Sequence, residues 1–394
     1  MTSTPAIVVQ GRPGQPLGMS PTRFLEQYWQ KRPLLIRQAL PGFRSPISAE
    51  ELAGLACEEG VLARLIVHDA KHDQWQVETG PFEESRFASL PEDDWTLLVQ
   101  DVDKWDPDVA AVLEHFDFLP GWRLDDVMVS FAAQDGSVGA HIDQYDVFLL
   151  QASGHRYWMI DDRPDAPTDF RPDQELKLLA QFQPSHEWLL EPGDMLYLPP
   201  GVPHHGIAAG ENRCLTWSVG LRAPSVAELA VDFAEHIVGQ LPDTWRYADP
   251  DLKPARDPGR IDAKALTRVR DLLQQALSVD EAAVPEWFGS FITGYRVAGM
   301  ARPRTRAMSA AAFDKRLAGG GALHQHPLSR FAWHQHRGQA RLFVAGDGHD
   351  ASPDLCRRLC QPQPLPMSEA RNLAPAAIEL LRGLVNQGHL VIGR

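Results

Sequence analysis

Short apolar runs separated by Gly, Pro, Asp and Asn residues dominate the sequence up to about Arg222. Examples are WTLLVQDV, VMVSFAA, YDVFLLQ and DMLYLPP. Runs of this length with turn residues between them are typical of β-strands, and many such strands favour a sandwich or a barrel. One helix is expected ahead of them, beginning at Ser20-Pro21 and carrying aromatic residues at helical spacing. The pattern therefore predicts a mainly β region over residues 1–222.

The hydrophobic period becomes helical after Pro224. The segment SVAELAVDFAEHIVGQL begins with Ser225 and has Glu228 three residues later, which is the signature of a capping box. Apolar residues then recur every three or four positions, and DAKALTRVRDLLQQAL and EWFGSFITGY show the same spacing. Helices of this size bury little by themselves, so residues 223–300 are expected to pack against the β region or a second copy of the chain.

Residues 301–394 mix the two periods. SAAAFDKRLAGG predicts a helix that ends at glycine. RFAWHQHRGQARLFVAG predicts two strands around Arg337-Gly338, and APAAIELLRGLVNQGHLVIGR predicts a helix followed by a terminal strand. A helix, a hairpin and a closing helix–strand pair together predict a small winged-helix-like domain.

Composition limits the classes of protein that remain. A chain of 394 residues has room for two or three domains, and none of its apolar runs reaches the roughly 18 residues of a membrane span. The N-terminus lacks a basic stretch followed by an apolar one, and four cysteines make no disulfide framework, so a cytoplasmic protein is expected. The net charge of −14 makes nucleic acid an unfavourable partner. The basic stretch from Arg302 to Arg341 is either a solvated face or a local contact with RNA or an acidic protein.

Two segments carry residues suited to holding a metal ion. His141 and Asp143 stand two apart in HIDQYDVFLLQ, and residues i and i+2 of a strand share a face. About 60 residues later, EPGDMLYLPPGVPHHG places His204 and His205 after a tight turn. Two histidines and one carboxylate form the facial triad that holds non-haem Fe(II) and leaves positions open. Neighbours in a strand face opposite sides, so only one of the adjacent histidines can be a ligand, and alternation does not say which.

A buried cation is predicted between these two segments. Arg156 follows the Gly154 turn in an apolar strand, where an unpaired guanidinium is costly and requires an anionic partner. A keto acid that chelates iron through its carboxylate and ketone has a far carboxylate that a guanidinium can bind in bidentate fashion. Ser130 and Thr216 lie on flanking strands and are candidates for additional hydroxyl donors.

The chain resembles the bacterial cupin-type JmjC ribosomal oxygenases over its first 225 residues. The likeness lies in five ordered segments: FLEQYWQKRPLLIRQA, WTLLVQDVDKW, DDVMVSFAAQDGSVGAHIDQYDVFLLQASGHRYW, EPGDMLYLPPGVPHHG and SVGLRAPS. Beyond them the layout is similar, with a helical dimerisation segment before a winged-helix domain. The resemblance implies a double-stranded β-helix (cupin/JmjC) catalytic domain, 1–222, then a helical dimerisation region, 223–300, and a winged-helix-like domain, 301–394.

The resemblance also implies the cofactors and the residues that hold them, namely Fe(II), with 2-oxoglutarate and O2 as cosubstrates. It implies three iron ligands: His141, Asp143 and His204. In the family the last ligand directly follows the Pro-Pro-Gly-x-Pro turn, which favours His204 over His205. Arg156 matches the arginine that binds the far carboxylate of 2-oxoglutarate, Ser130 matches a serine near the cosubstrate, and Thr216 stands where the family often has asparagine.

The reaction implied by the resemblance is hydroxylation of an arginine side chain of large-subunit ribosomal protein sixteen by a homodimeric dioxygenase. An arginine substrate favours carboxylates at the mouth of the site, and Asp146 and Asp135 flank the metal motif. Gln144 and Tyr145 are expected to line the entrance. One alternative keeps the chemistry but acts on a ribosomal-protein histidine or a small molecule. Another is a non-catalytic, metal-binding cupin regulator that contacts nucleic acid, which the buried Arg156 disfavours.

Overall fold

A computed structural model of the chain describes residues 6–172, 175–210, 214–278, 281, 283–294 and 301–393. The chain folds into two compact units, Met1–Ala223 and Pro224–Arg394. Within the described residues, none of the helices combines the length and the apolar character needed to cross a bilayer.

Two β-sheets form the N-terminal unit. Its strands are β1 (Val8–Gln10), β2 (Leu34–Arg37), β3 (Ala63–Asp69), β4 (Gln74–Thr79), β5 (Trp95–Val99), β6 (Leu124–Ala132), β7 (Val147–Ser153), β8 (His155–Ile160), β9 (His186–Leu190), β10 (Met195–Leu198), β11 (His204–Ala209) and β12 (Cys214–Leu221). The large sheet has the order β1-β2-β10-β7-β12-β6-β5-β3-β4, and the small sheet has the order β11-β8-β9. Apart from the parallel pair β1–β2, neighbouring strands in both sheets run antiparallel.

The two sheets pack face to face, because alternate residues of both point into a shared apolar interior. Residues from both sheets form this cluster: Leu35, Val147, Leu149, Trp158, Ile160, Leu190, Leu196 and Leu198. The opposite face of the large sheet belongs to a second core, to which Val129, Phe148 and Trp217 contribute. This sandwich is the arrangement expected for a double-stranded β-helix.

Short helices in the N-terminal unit are more numerous than the single predicted one. They are α1 (Pro21–Gln27), α2 (Ala49–Leu55), α3 (Glu84–Ala88), α4 (Val102–Trp105) and α5 (Pro107–Ala110), with 3-10 helices at Ala111–Phe116 and Gly121–Arg123. The predicted cap at Ser20 is present, since its hydroxyl accepts a hydrogen bond from the Arg23 N–H. The other helices have four to seven residues, too few to show a helical period, although Ser48 and Glu51 form a complete capping box on α2.

The C-terminal unit contains helices and two small sheets. Its helices are α6 (Val226–Val238), α7 (Ala263–Ala276), α8 (Val284–Thr293), α9 (Ala310–Ala318), α10 (Pro353–Leu359), α11 (Met367–Ala370) and α12 (Pro375–Gln387). Its strands are β13 (Ala322–Gln325), β14 (Phe331–His336), β15 (Gln339–Val344), β16 (Asp347–Ala351), β17 (Leu365–Pro366) and β18 (Leu390–Gly393). They form the sheets β17-β13-β18 and β14-β15-β16.

Local signals predicted most of these C-terminal elements correctly. The hairpin β14–β15 turns at Arg337 and Gly338, both with positive φ, and the capping box at Ser225 and Glu228 begins α6. The predicted helix and terminal strand of the final segment are α12 and β18. Tyr295 and Arg394, which close two of the predicted segments, lie outside the described residues.

Candidate active site

The metal motif begins in a loop, which corrects the strand predicted for it. Residues 141–146 precede β7, which begins at Val147. His141 and His204 form an isolated antiparallel bridge, in which each N–H donates to the other's carbonyl at 3.0 Å. The N–H of Gly201, in the Pro-Pro-Gly turn, donates to the carbonyl of Asp143 at 2.8 Å. These main-chain bonds, and not strand alternation, set the positions of the two residues.

Three candidate ligands converge at this point. His141, Asp143 and His204 each offer a ligand atom, and these atoms lie within 4.8 Å of one another. The Nε2 of His204 is 3.6 Å from Oδ2 of Asp143, and the two imidazole centroids are 4.2 Å apart. No second group of this kind occurs in the described part of the chain. The donor set of two imidazoles and one carboxylate fits Fe(II) and related divalent metals.

Main-chain carbonyls orient both imidazoles. The Nδ1 of His141 is 3.0 Å from the Gly139 carbonyl, and the Nδ1 of His204 is 2.9 Å from the Val202 carbonyl. A carbonyl only accepts, so each Nδ1 carries the proton and each Nε2 keeps a free lone pair. Burial, together with the neighbouring His141, lowers the pKa of His204 to about 4, so this imidazole is neutral at pH 7.

His205 faces away from this group, as neighbouring residues of a strand must. Its Nε2 lies 2.9 Å from the hydroxyl of Ser137. Burial and the nearby Arg156 guanidinium lower the pKa of His205 to about 4. Between the two adjacent histidines, it is the His204 ring that approaches Asp143.

Arg156 lies in the interior with most of its hydrogen-bonding capacity unused. The residue is 3% exposed, and its Nη2 donates to the Gly206 carbonyl at 3.1 Å. The guanidinium carbon lies 5.1 Å from the centroid of the Trp158 ring. Among the described residues, Nε and Nη1 are buried without a hydrogen-bond partner. A buried guanidinium in this state fits an anionic ligand that supplies the missing acceptors.

Glycine is required at position 206 for this arrangement. A Cβ there would lie 2.6 Å from Nε of Arg156 and 2.8 Å from the Trp158 ring. The missing side chain therefore leaves the space that the guanidinium occupies.

The two predicted hydroxyl donors lie on facing positions of the large sheet. Ser130 on β6 pairs with Thr216 on β12, and both are buried. The Ser130 hydroxyl donates to the Thr216 carbonyl at 3.2 Å, and the Thr216 hydroxyl donates to Oε1 of Gln151 at 3.1 Å. Both protons are thus used within the sheet, and what remains on each oxygen for a ligand is lone-pair acceptor capacity.

The prediction that Asp146 lines the substrate entrance is wrong. Its side chain is fully buried and accepts three hydrogen bonds, from the Tyr197 hydroxyl at 2.6 Å, Gln30 Nε2 at 2.9 Å and Arg123 Nη2 at 3.1 Å. A carboxylate that is fully buried and held by three donors from separate elements is not accessible to a substrate. Its role is to anchor the chain just after the metal motif.

The other three predicted entrance residues are exposed. Asp135 and Gln144 lie at the surface. Tyr145 is 41% exposed, and burial of its hydroxyl together with the negative charge of Asp143 raises the pKa of Tyr145.

Sequence reasoning missed Asp126. This carboxyl is buried, and burial together with Asp101 raises its pKa to about 7. It lies close enough to the Tyr145 hydroxyl to act on it electrostatically. Asp126 is also four residues before Ser130 on β6, so the two share a face. In the sequence, an aspartate near the start of an apolar strand and four residues before Ser130 could have identified it as a candidate site residue.

Comparisons with known proteins agree with this geometry. Residues 111–229 match the JmjC domain family, and residues 271–391 match the ROXA-like winged helix. The ribosomal protein uL16 3-hydroxylase of Escherichia coli (strain K12) is 40% identical over 273 residues, which cover 69% of this chain and 71% of that protein. A probable ribosomal oxygenase of Haemophilus influenzae is 40% identical over 58% of this chain and 56% of its own length.

Solved structures extend the likeness to nearly the whole chain. The X-ray structure of E. coli ycfD matches with a TM-score of 0.81 and 32% identity, over 95% of this chain and 98% of the other. A structure of YcfD, a ribosomal oxygenase from E. coli, in complex with cobalt and 2-oxoglutarate matches with a TM-score of 0.78 over the same fractions.

Proposed function

This chain belongs to the JmjC-domain ribosomal oxygenases, and we propose that it hydroxylates an arginine side chain of ribosomal protein uL16 with Fe(II), 2-oxoglutarate and O2. Two relatives support the proposal through their names and titles. One is called a ribosomal protein uL16 3-hydroxylase, and a YcfD structure contains cobalt and 2-oxoglutarate.

The observation that carries the proposal is the unsatisfied hydrogen-bonding capacity of the buried Arg156 guanidinium. Two of its guanidinium nitrogens are buried without a partner among the described residues. A barrel that only held a metal would gain nothing from this costly group. A dicarboxylic cosubstrate explains it, because one end chelates the metal while the far carboxylate pairs with the guanidinium.

The iron ligands in this proposal are His141, Asp143 and His204. Fe(II) bound there with 2-oxoglutarate and O2 supplies the oxidising power to insert one oxygen atom into an unactivated C–H bond, while 2-oxoglutarate is converted to succinate and CO2. The two histidines bind through Nε2, since the Gly139 and Val202 carbonyls hold the proton on Nδ1.

Positioning is the main contribution of the remaining residues. Arg156 binds and orients the far carboxylate, with the Trp158 ring against its guanidinium. The apolar interior around Trp158 excludes water, which strengthens that ion pair. The oxidised atom on the substrate is then the one that the mouth of the site holds nearest to the metal.

An arginine substrate would give a counter-charge to Asp126, which acts electrostatically on Tyr145 of the metal motif. Asp126 has a pKa raised to about 7 in the absence of a cation, and a guanidinium brought next to it would favour the ionised form. A neutral substrate, such as an unprotonated histidine side chain, would leave the Asp126 carboxylate without a counter-charge.

Mass spectrometry of uL16 tests the function directly. Recombinant uL16 is incubated with this protein, Fe(II) and 2-oxoglutarate, beside His141→Ala and Arg156→Ala, with His72→Ala and Arg357→Ala as matched controls outside the site. We expect a gain of one oxygen atom on an arginine with the wild type and both controls, and none with the two site variants. Succinate formation without oxidation of uL16 would contradict the substrate, and absence of succinate would contradict the enzyme class.

We further propose that the protein is a homodimer joined through its helical segment. Three apolar residues of α7 are exposed at helical spacing, namely Leu266, Val269 and Leu273, and α7 has no buried side chain. An amphipathic helix with an uncovered apolar face is typical of an interface. Light scattering should give twice the chain mass for the wild type and the single mass for Leu266→Glu/Leu273→Glu. A monomeric wild type at micromolar concentration would refute the dimer.

Its proposed location is the cytoplasm. The four cysteines are all free thiols, which suits a reducing compartment. We expect no nucleic acid partner for a chain of net charge −14, and salt-sensitive retention of DNA on filters would contradict this.

A further inference from the structure

We propose that the hydroxyl of Ser137 is a positioning group that links the metal-ligand side of the pocket to the cosubstrate side. The inference rests on the function proposed above. It concerns a network of hydrogen bonds around one buried oxygen atom, which lies four residues before the first metal ligand.

Ser137 lies where the loop before the metal motif runs alongside β11. The N–H of Asp135 donates to the Ala208 carbonyl at 3.2 Å, and the N–H of Ala208 donates to the Gly136 carbonyl at 3.0 Å. Ser137 then forms a bridge with Ile207. The serine is 5% exposed, so its hydroxyl is satisfied by the protein and not by bulk water.

One branch of the network reaches the metal ligand His141. The Ser137 hydroxyl oxygen accepts a hydrogen bond from the Gly139 N–H at 3.0 Å. The Gly139 carbonyl in turn accepts a hydrogen bond from Nδ1–H of His141 at 3.0 Å. The hydroxyl therefore fixes the residue whose carbonyl sets the tautomer and direction of the imidazole.

The other branch reaches Arg156. The Ser137 hydroxyl donates a hydrogen bond to the Gly206 carbonyl at 2.9 Å. The same carbonyl accepts the hydrogen bond from Nη2 of Arg156 at 3.1 Å. One carbonyl oxygen is thus held by the serine on one side and by the guanidinium on the other.

His205 completes the network and fixes the direction of the hydroxyl proton. A serine has one proton, and it is directed to Gly206, so His205 Nε2, at 2.9 Å, must be the donor to the oxygen. Replacement of Ser137 by alanine would leave the Gly139 N–H and the His205 N–H without their acceptor. Both branches would lose their common point at once.

Binding of Co(II) and 2-oxoglutarate measures the two branches separately without turnover. Calorimetry first titrates Co(II) into metal-free full-length protein, and then titrates 2-oxoglutarate into the Co(II)-loaded protein. Ser137→Ala is compared with Ser329→Ala, a matched control in the C-terminal unit. Ser329 is also a buried serine, 6% exposed, whose hydroxyl lies 2.9 Å from a histidine nitrogen, Nδ1 of His389.

We expect Ser137→Ala to weaken Co(II) binding about tenfold, as is usual when a group that orients a metal ligand is removed. Binding of 2-oxoglutarate should weaken roughly five- to tenfold, which corresponds to one lost hydrogen bond. Ser329→Ala should change neither affinity by more than about twofold. It also removes a buried serine hydroxyl, but one that lies next to His389 in the C-terminal unit, so it affects only the stability of the fold.

Substitutions of His205 provide a second test that leaves Ser137 in place. His205→Gln retains an N–H donor and should keep both affinities near the wild-type values, whereas His205→Phe should resemble Ser137→Ala. Unchanged affinities in Ser137→Ala and His205→Phe, or loss of one ligand alone, would overturn the link. Failure of the wild type to bind Co(II) or 2-oxoglutarate would instead contradict the proposed function, and this inference with it.

Discussion

Two arginines, one in each unit, differ in how far the chain satisfies their hydrogen-bonding groups. In the C-terminal unit, which has its own hydrophobic core, Arg341 is paired with Glu286 at 2.8 and 2.9 Å and with Asp350 at 2.8 Å. In the N-terminal unit, Arg156 is buried with two nitrogens unpaired among the described residues, and Asp126 is buried with a raised pKa. Asp126 escapes the cost of a buried charge by binding a proton, whereas the Arg156 guanidinium stays charged and fits an anionic ligand that supplies the missing acceptors.

Replacement of the unpaired cation gives the largest expected effect. Arg156→Met keeps most of the side-chain volume and removes the charge, so the affinity for 2-oxoglutarate should fall by about 100-fold or more, which corresponds to roughly 3 kcal/mol. The free energy of unfolding should not fall, and should rise by about 1 kcal/mol or more, because an uncompensated buried charge is removed. Calorimetry and urea unfolding measure the two quantities. A clear loss of stability would show that the contacts of Arg156 with the Gly206 carbonyl and the Trp158 ring outweigh the cost of its buried charge.

Two tightly packed glycines sharpen the comparison by their different neighbours. A Cβ on Gly206 would meet Arg156, and a Cβ on Gly289 of α8 would lie 2.4 Å from the Phe343 ring. Each change to alanine should lower the free energy of unfolding of its own unit by about 1–3 kcal/mol through overpacking.

Only Gly206→Ala should also weaken 2-oxoglutarate binding. Urea unfolding and calorimetry on both variants make the comparison, with Gly54→Ala as control, since nothing lies within 4 Å of a Cβ there. Equal loss of cosubstrate binding in both glycine variants would mean that the effect is not local to the Arg156 pocket.

The buried carboxyl gives a smaller effect that depends on pH. The pKa of Asp126 is raised from 3.8 to about 7 in the folded protein, so the folded state binds more protons between these values. Its contribution to stability is therefore present below about pH 4 and is lost as the pH rises to about 7. Asp126→Asn stays neutral, and should be more stable relative to wild type at pH 8 than at pH 5, by roughly 1–2 kcal/mol. Urea unfolding at both pH values checks this, and parallel behaviour of the two proteins would refute it.

The paired cation of the C-terminal unit gives the smallest expected effect. Arg341→Met removes two ion pairs that are partly exposed, with Glu286 and Asp350, and should lower the free energy of unfolding by about 1 kcal/mol. This loss is opposite in sign to the effect of Arg156→Met. Binding of 2-oxoglutarate should not change. Stabilisation by Arg341→Met would remove the distinction between the two arginines.

The sequence predicted elements best where their signals are local. The capping box at Ser225 and the turn at Arg337-Gly338 lie within a few residues of the structure they specify. Asp146 shows the limit, because its partners Gln30, Arg123 and Tyr197 are distant in sequence. No local pattern reveals that the folded chain brings those donors together around it.

The metal motif lies between these two cases. Spacing singled out His141 and Asp143, and the folded chain brings them together with His204. Alternation along a strand does not place them, since these residues lie in a loop fixed by main-chain hydrogen bonds from Gly201 and His204. Residue types were readable from the sequence, whereas the geometry depends on segments about 60 residues apart.

Main-chain carbonyls orient the imidazoles of His141 and His204. This limits which substitutions the site can accept during evolution. A substitution cannot delete a carbonyl oxygen, so the tautomers are inherited with the path of the backbone and not with a residue type. At Val202 many side chains would preserve the bond to His204, provided they keep that path. At Gly139, where φ is +78° and an added Cβ would lie 2.4 Å from Leu178, almost any mutation would disturb it. The two hydrogen bonds have the same role, but Val202 can be replaced by many residues without loss of function and Gly139 by very few.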